Sequence, residues 1–168
     1  MSHRVVGAAN RAGIGLTLLP VLYSVGGYGN ARPNKGQKRY ILGVDDCLQI
    51  VENLVKEYRT ENQIQIGIAP HSLRQVPEKL LADALAGFSA IDTKGPIHIH
   101  IAEQRSDVDT HIKHIGARPV AWLLDNAEVN SQWCLIHATH MDTRETKALA
   151  ATGAVAGLCP TTEGNLGD

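Results

Sequence analysis

Eight histidines against one phenylalanine and two tryptophans make metal or acid–base chemistry the first thing to look for in this 168-residue sequence. Two of the histidines fall in Pro96-Ile97-His98-Ile99-His100-Ile101-Ala102-Glu103-Gln104. That stretch reads as a short apolar strand ending at a carboxylate. Side chains alternate across a strand, so His98 and His100 share one face, and Ile97, Ile99 and Ile101 share the other. Imidazoles on a buried strand are costly unless they bind a metal or hydrogen-bond. A ligand-type histidine beside a loop glutamate suits a metal that activates water and a carboxylate that moves the proton. The same residues equally suit a strand with two hydrogen-bonded core histidines and a surface Glu103. The stretch alone does not choose.

The elements that must position these groups alternate along the chain. Residues 2–12 read as the end of a helix, stopped by Gly13 or Gly15. Residues 16–24 read as a strand, and residues 26–36 as a glycine- and asparagine-rich loop long enough to be functional. Asp45 and Asp46 can cap a helix to about Arg59, because Leu48, Val51, Leu54, Val55 and Tyr58 follow a 3.6-residue period. Residues 63–69 form the next strand. Val76-Pro77-Glu78 opens a helix to about Phe88, with the proline at an early helical position. After the strand at 97–102, residues 106–125 form two helical pieces broken at 116–119. Strand 133–138, a helix at 144–151 capped by Asp142, and strand 154–159 complete the pattern. Alternating strands and helices imply parallel βα units, with both faces of the sheet buried. A (β/α)8 barrel or an open doubly wound sheet fits.

In both architectures the active site lies at the C-terminal ends of the strands. Those ends carry Tyr23-Ser24, then His71 and Arg74, then His100 and Glu103, then His137 and His140, then Thr161, Thr162, Glu163 and Asn165. Their clustering favours a site over scattered core histidines. His111 and His114 sit on a polar helix and read as solvated. Glu163 and Asn165 suit either the site or a helix cap. No strand is followed by a glycine-rich phosphate loop.

A net charge of -1 supplies no basic field for nucleic acid or anionic lipid. No apolar run reaches the length of a membrane span. Residues 13–23 resemble a signal-peptide core, but Pro20 interrupts them and no clean cleavage site follows. Cys47, Cys134 and Cys159 are odd in number, far apart, and without a CxxC. They read as reduced core thiols of a cytoplasmic protein.

The succession of His98-Ile99-His100-Ile101-Ala102-Glu103-Gln104, Arg118-Pro119-Val120-Ala121-Trp122-Leu123-Leu124, Trp133-Cys134-Leu135-Ile136-His137-Ala138-Thr139-His140 and Gly153-Ala154-Val155-Ala156-Gly157-Leu158-Cys159-Pro160-Thr161-Thr162-Glu163 resembles the formimidoylglutamate deiminases of the amidohydrolase superfamily. The 13–23 run and the His71-Ser72-Leu73-Arg74 turn fit as well. The resemblance implies an α/β fold, a partial (β/α)8 TIM barrel of the metal-dependent hydrolase type. It implies hydrolysis of N-formimidoyl-L-glutamate to N-formyl-L-glutamate and ammonia, a step of histidine degradation. His100 matches the metal-binding histidine, Glu103 the general acid/base and His137 the histidine that positions the water. His71 and Arg74 match the substrate-contacting pair. A guanidinium suits the dianionic glutamate moiety, since it grips a carboxylate in a bidentate fork. The implied cofactor is one divalent metal ion, Zn2+ by preference, with Fe2+ or Mn2+ as alternatives. The implied partners are a small carboxylate-bearing substrate and, in the full-length enzyme, a second copy in a homodimer.

The family's first-strand H-x-H pair and last-strand aspartate are absent. His98/His100 is not that pair, because Glu103 and the downstream His-Ala-Thr-His place it at strand five. His98 is then scaffold. About five of eight βα units are present, whereas a whole barrel needs about 250 residues. The expectation is that residues 1–168 are the central part of one catalytic barrel, lacking the first strands and the last, and ending in a loop at residues 165–168. The remaining metal ligands are expected outside this chain, and the isolated chain is expected to be inactive and poorly stable. Three rivals stand: another amidohydrolase deaminase with a purine, pyrimidine or guanidino substrate, a non-catalytic truncated chain that acts only by association, and an open α/β sheet with no metal whose histidines hydrogen-bond within the core.

Overall fold

The structure, a computed structural model, describes residues 1–167. Helix α1 (Ser2–Ala12) ends at Gly13, which takes the left-handed conformation at φ 70. Strands β1 (Leu16–Leu18) and β2 (Val21–Leu22) are two segments of one path, interrupted at Leu19-Pro20. Helix α2 (Val44–Tyr58) follows. Strands β3 (Ile64–Ile66) and β4 (Ala69–Pro70) again share one path, and α3 (Glu78–Ile91) leads to β5 (Ile97–Ile101). Helices α4 (Arg105–Ile115) and α5 (Pro119–Asn126) precede β6 (Trp133–His137). Helix α6 (Thr143–Thr152), β7 (Val155–Gly157) and α7 (Pro160–Leu166) complete the described chain.

Every pairing is parallel: β1 with β3, β2 with β4, β5 with β6, and β6 with β7. A bridge from Ile68 to Ile97 joins the second path to the third. The backbone continues that ladder, with Ile68 N donating to Pro96 O and His98 N to Ile68 O, both at 3.0 Å. Five strand paths therefore lie side by side in chain order, with helices in each crossover. Gly67 sits where the second path runs close beside the third. A Cβ there would stand 2.2 Å from the Pro96 carbonyl oxygen, so only glycine permits the approach.

The helices pack on one side of this sheet. Ile64 and Ile66, Ile97, Ile99 and Ile101, and Trp133 and Leu135 are buried there with Val51, Leu54, Phe88 and Leu123. The alternate strand residues face the other way. Thr17, Gln65, His100 and Val155 are exposed, while His98 and Cys134 are half-buried. The expectation of two buried faces is corrected here, because no described element of the chain covers the second face.

Local sequence placed the helices within a few residues, with three differences. Asp45 and Asp46 lie inside the first turn of α2, whose N-cap is Gly43 with no side-chain cap bond; they favour the helix through its dipole. Pro77 is the N-cap of α3 and not its first helical residue. The stretch at 165–167 is not a loop continuation, since α7 runs through Leu166. Thr161, Thr162, Glu163 and Asn165 therefore ride on a helix; Asp168 lies outside the described residues. No helix among the described residues is long and apolar enough to cross a membrane.

Candidate active site

The strand ends meet as the parallel register requires. The aromatic rings form a row: Tyr23 to His71 at 4.7 Å between centroids, His71 to His100 at 5.0 Å, and His100 to His137 at 5.7 Å. His100 Nδ1 lies 2.9 Å from the His71 carbonyl oxygen. A carbonyl only accepts, so Nδ1 carries the proton and Nε2 keeps its lone pair. That is the tautomer of a metal-ligating histidine held by a backbone acceptor.

The turns after β5 and β6 are strained. Ala102 (φ 48), His137 (φ 71) and Ala138 (φ 51) all adopt positive φ, at about 1–2 kcal/mol each for non-glycine residues. Backbone bonds hold them: Ala138 N donates to Ile101 O and His140 N to Ala102 O, both at 3.0 Å. The twist at His137 turns its ring between two carboxylates. Its Nε2 is 3.3 Å from Glu103 Oε1 and its Nδ1 is 3.1 Å from Glu163 Oε1. His137 is buried. The Cys159 N–H also donates to Glu163 Oε1 at 2.8 Å, and this bond leads the causes holding the Glu163 carboxyl below its ordinary range.

Arg74 reaches from the turn after β4 to pair with Asp107 on α4. Asp107 also closes a capping box with Gln104. Tyr28, from the glycine-rich loop, lines the same cleft with Arg74, His100, Glu103 and Asp107. Burial, partly opposed by Arg74, pushes its phenol up to about 12. Arg118 grips the loop after β6 from outside, donating to the His140 carbonyl and to Glu145.

His71, Arg74, His100, Glu103 and His137 thus stand at one end of the sheet, as their positions in sequence implied. His98 lies one pleat back on the open face, half-buried. Two sequence readings change. His111 is not solvated: it is buried, bonds the Ala117 carbonyl at 2.8 Å and abuts Trp122 and Tyr28. Glu163 need not be either cap or site residue, since one oxygen serves both. Asp107, the partner of Arg74, was missed in sequence; the Gln104-x-x-Asp107 spacing was its only local signal. Among the described residues, one trio brings potential ligand atoms within 4.8 Å of one another: His137, Cys159 and Glu163. His100 belongs to no such trio.

Burial, with the charges of His100 and Arg74, pushes the His71 imidazole down to about 4. His98 and His111 are lowered by burial too. A free imidazole titrates near ~6.5. The unfolded chain therefore takes up protons that the folded chain refuses. This contribution to stability is fully present above that value and declines as pH falls toward 4. Urea unfolding is expected to show a lower midpoint near pH ~5 than near ~7.5, and His71→Gln shrinks the difference. An unchanged or higher midpoint in acid contradicts this.

No protein-family model matches the chain. Over its full length it is 46% identical to the formimidoylglutamate deiminase of Pseudomonas aeruginosa. The chain is a homologue of formimidoylglutamate deiminase. It spans 36% of that relative's length. A 5-methylthioadenosine/S-adenosylhomocysteine deaminase of Haloquadratum walsbyi is 34% identical over 100 residues, 60% of this chain and 22% of the relative. Among solved structures, an amidohydrolase from Brucella melitensis superposes with a TM-score of 0.89 at 47% identity, over 98% of this chain and 36% of that one. A zinc-bound adenosine deaminase from Xanthomonas campestris gives 0.71 at 19% identity, over 94% of this chain and 36% of that one. The five parallel paths with their helices thus share the partial TIM-barrel architecture of the amidohydrolase they superpose on, and the similarity to the deiminase extends through every strand end described above.

Proposed function

We propose that this chain is the central catalytic segment of a metal-dependent deiminase. Its reaction adds water to the formimidoyl carbon of N-formimidoyl-L-glutamate and expels ammonia, leaving N-formyl-L-glutamate. The observation that carries this reading is 46% identity to a formimidoylglutamate deiminase across the whole chain. His71, Arg74, His100, Glu103 and His137 gathered at one strand end support it.

His100 would serve as one ligand of a divalent ion. His100 presents an unprotonated Nε2 on the open face, because its Nδ1–H is tied to the His71 carbonyl. A catalytic zinc takes about three protein ligands and an open position, so the other ligands come from the part of the relatives' barrel that this chain does not span. A bound ion there supplies Lewis acidity, lowering the pKa of water and polarising the formimidoyl group. Zinc is the ion of choice, with iron or manganese compatible with mixed nitrogen and oxygen ligands.

The chain's own residues do the rest. Glu103 takes the proton released as water adds and delivers it to the departing nitrogen. His137 Nε2, beside Glu103, accepts a hydrogen bond from the attacking water and so orients it for addition. Asp107 engages Nη1 of Arg74, which leaves the rest of the guanidinium fork for a substrate carboxylate. The three cysteines are free, which suits the cytoplasm.

Exchanging residues 1–168 for the matching segment of the Pseudomonas aeruginosa deiminase tests this. The chimaera is expected to release ammonia from N-formimidoyl-L-glutamate when supplied with Zn2+. Arg74→Ala in it raises KM by about 10- to 100-fold, as losing a charged hydrogen bond does. A folded, metal-loaded chimaera that deaminates 5-methylthioadenosine and spares formimidoylglutamate overturns the reading.

A further inference from the structure

His137 has two carboxylate neighbours and one mobile proton in its neutral state, so one neighbour must win the N–H. The two contacts are unequal. Glu163 Oε1 is 3.1 Å from Nδ1, whereas Glu103 Oε1 is 3.3 Å from Nε2. The Glu163 side chain is 16% exposed and that of Glu103 24%. The same Glu163 oxygen is pinned by the Cys159 N–H at 2.8 Å. Glu163 is therefore the closer, drier and better-fixed acceptor. Among the described residues, the Glu103 carboxylate has no polar side-chain contact apart from His137.

We propose that Glu163 is a positioning residue for His137. It accepts the Nδ1–H bond and so holds the ring in the Nδ1–H tautomer, leaving the Nε2 lone pair to accept from the reacting water, or from Glu103 once that carboxyl carries a proton. A neutral imidazole with the proton on Nε2 offers no lone pair on that side. The register of α7 also belongs to the device, because Cys159 and Glu163 are one helical turn apart and share the oxygen. The His137 backbone at φ 71 is what swings Nδ1 toward α7 and away from the strand. The catalytic use of this tautomer rests on the hydrolytic reading above; the tautomer itself does not.

The test is nitrogen-15 NMR of the histidine rings of the 168-residue chain, followed through a pH series and read at the neutral end-point of the His137 ring. The expected result is an His137 signal with the proton on Nδ1. Glu163→Ala shifts it toward the Nε2–H form. Glu163→Gln, whose amide oxygen still accepts both bonds, keeps the Nδ1–H form. If Glu163 were only a cap for α7, the alanine variant would loosen that helix and leave the His137 tautomer unchanged. That outcome overturns the proposal, as does a wild-type ring carrying its proton on Nε2. Loss of the Nδ1 proton on adding stoichiometric Zn2+, restored in Cys159→Ser, also overturns it, by making the trio a metal site. None of these readouts needs a substrate, so they stand or fall apart from the deiminase assignment. In the chimaera, Glu163→Ala is expected to lower kcat and leave KM unchanged, with Glu163→Gln recovering most of it.

Discussion

Glu103→Gln in the chimaeric deiminase is expected to lower kcat by about 10²- to 10⁴-fold, the range that general acid–base catalysis contributes. The substitution is nearly isosteric. It keeps the bulk and an acceptor oxygen at the mouth of β5, and it removes only the group that carries a proton. Glu103 follows Ala102, whose positive φ turns the chain out of the strand. The carboxylate thereby reaches His137 Nε2 at 3.3 Å instead of continuing along the sheet. Ammonia release from N-formimidoyl-L-glutamate at saturating substrate measures the effect. KM is expected to stay within a few-fold, because the proposed reading gives the substrate's carboxylate to Arg74 and not to Glu103. A variant that keeps more than about a tenth of the wild-type kcat assigns the proton transfer elsewhere.

Glu145→Ala is expected to destabilise the chain by about 2 kcal/mol, in the range found when a buried acceptor of charged and backbone hydrogen bonds is removed. Glu145 is only 2% exposed. Its carboxylate accepts from Arg118 Nε at 2.8 Å, from Ala121 N at 3.1 Å and from Asp142 N at 2.9 Å. Alanine leaves all three donors without that acceptor and opens the capping box of α6. The damage extends to the site, because Arg118 also holds the His140 carbonyl just beyond His137. Urea unfolding monitored by circular dichroism reads the loss. A change below about 1 kcal/mol, the size of one ordinary hydrogen bond, shows that the network is dispensable.

Much of the architecture was legible one element at a time. The 3.6-residue period of Leu48, Val51, Leu54, Val55 and Tyr58 matches α2, and Asp142 caps α6 as its position before Arg144 and Glu145 implied. The five apolar segments became five parallel paths. The failures share a cause. Asp45 and Asp46 were read as caps because a cap and a first-turn acid look alike in sequence. Their difference is one residue of backbone conformation at Gly43. His111 was placed in water because α4 is polar overall. The structure buries it through Trp122 and Tyr28, which come from α5 and a distant loop.

The same division runs through the site. Sequence by itself determined which side chains stand at the strand ends. Strand periodicity and the parallel βα order are local and additive properties, and they place His71, Arg74, His100, Glu103 and His137 at one edge. Tertiary structure decided what those side chains do to one another. Asp107 is 33 residues from Arg74, Glu163 is 26 from His137, and Glu145 is 27 from Arg118. Each pairing depends on the register between strands and on a few unusual backbone angles, so no local pattern announces it. The tautomer of His137 comes from its pairing with Glu163 and that of His100 from the His71 carbonyl, because a proton on an imidazole goes to whichever nitrogen finds the better-fixed acceptor.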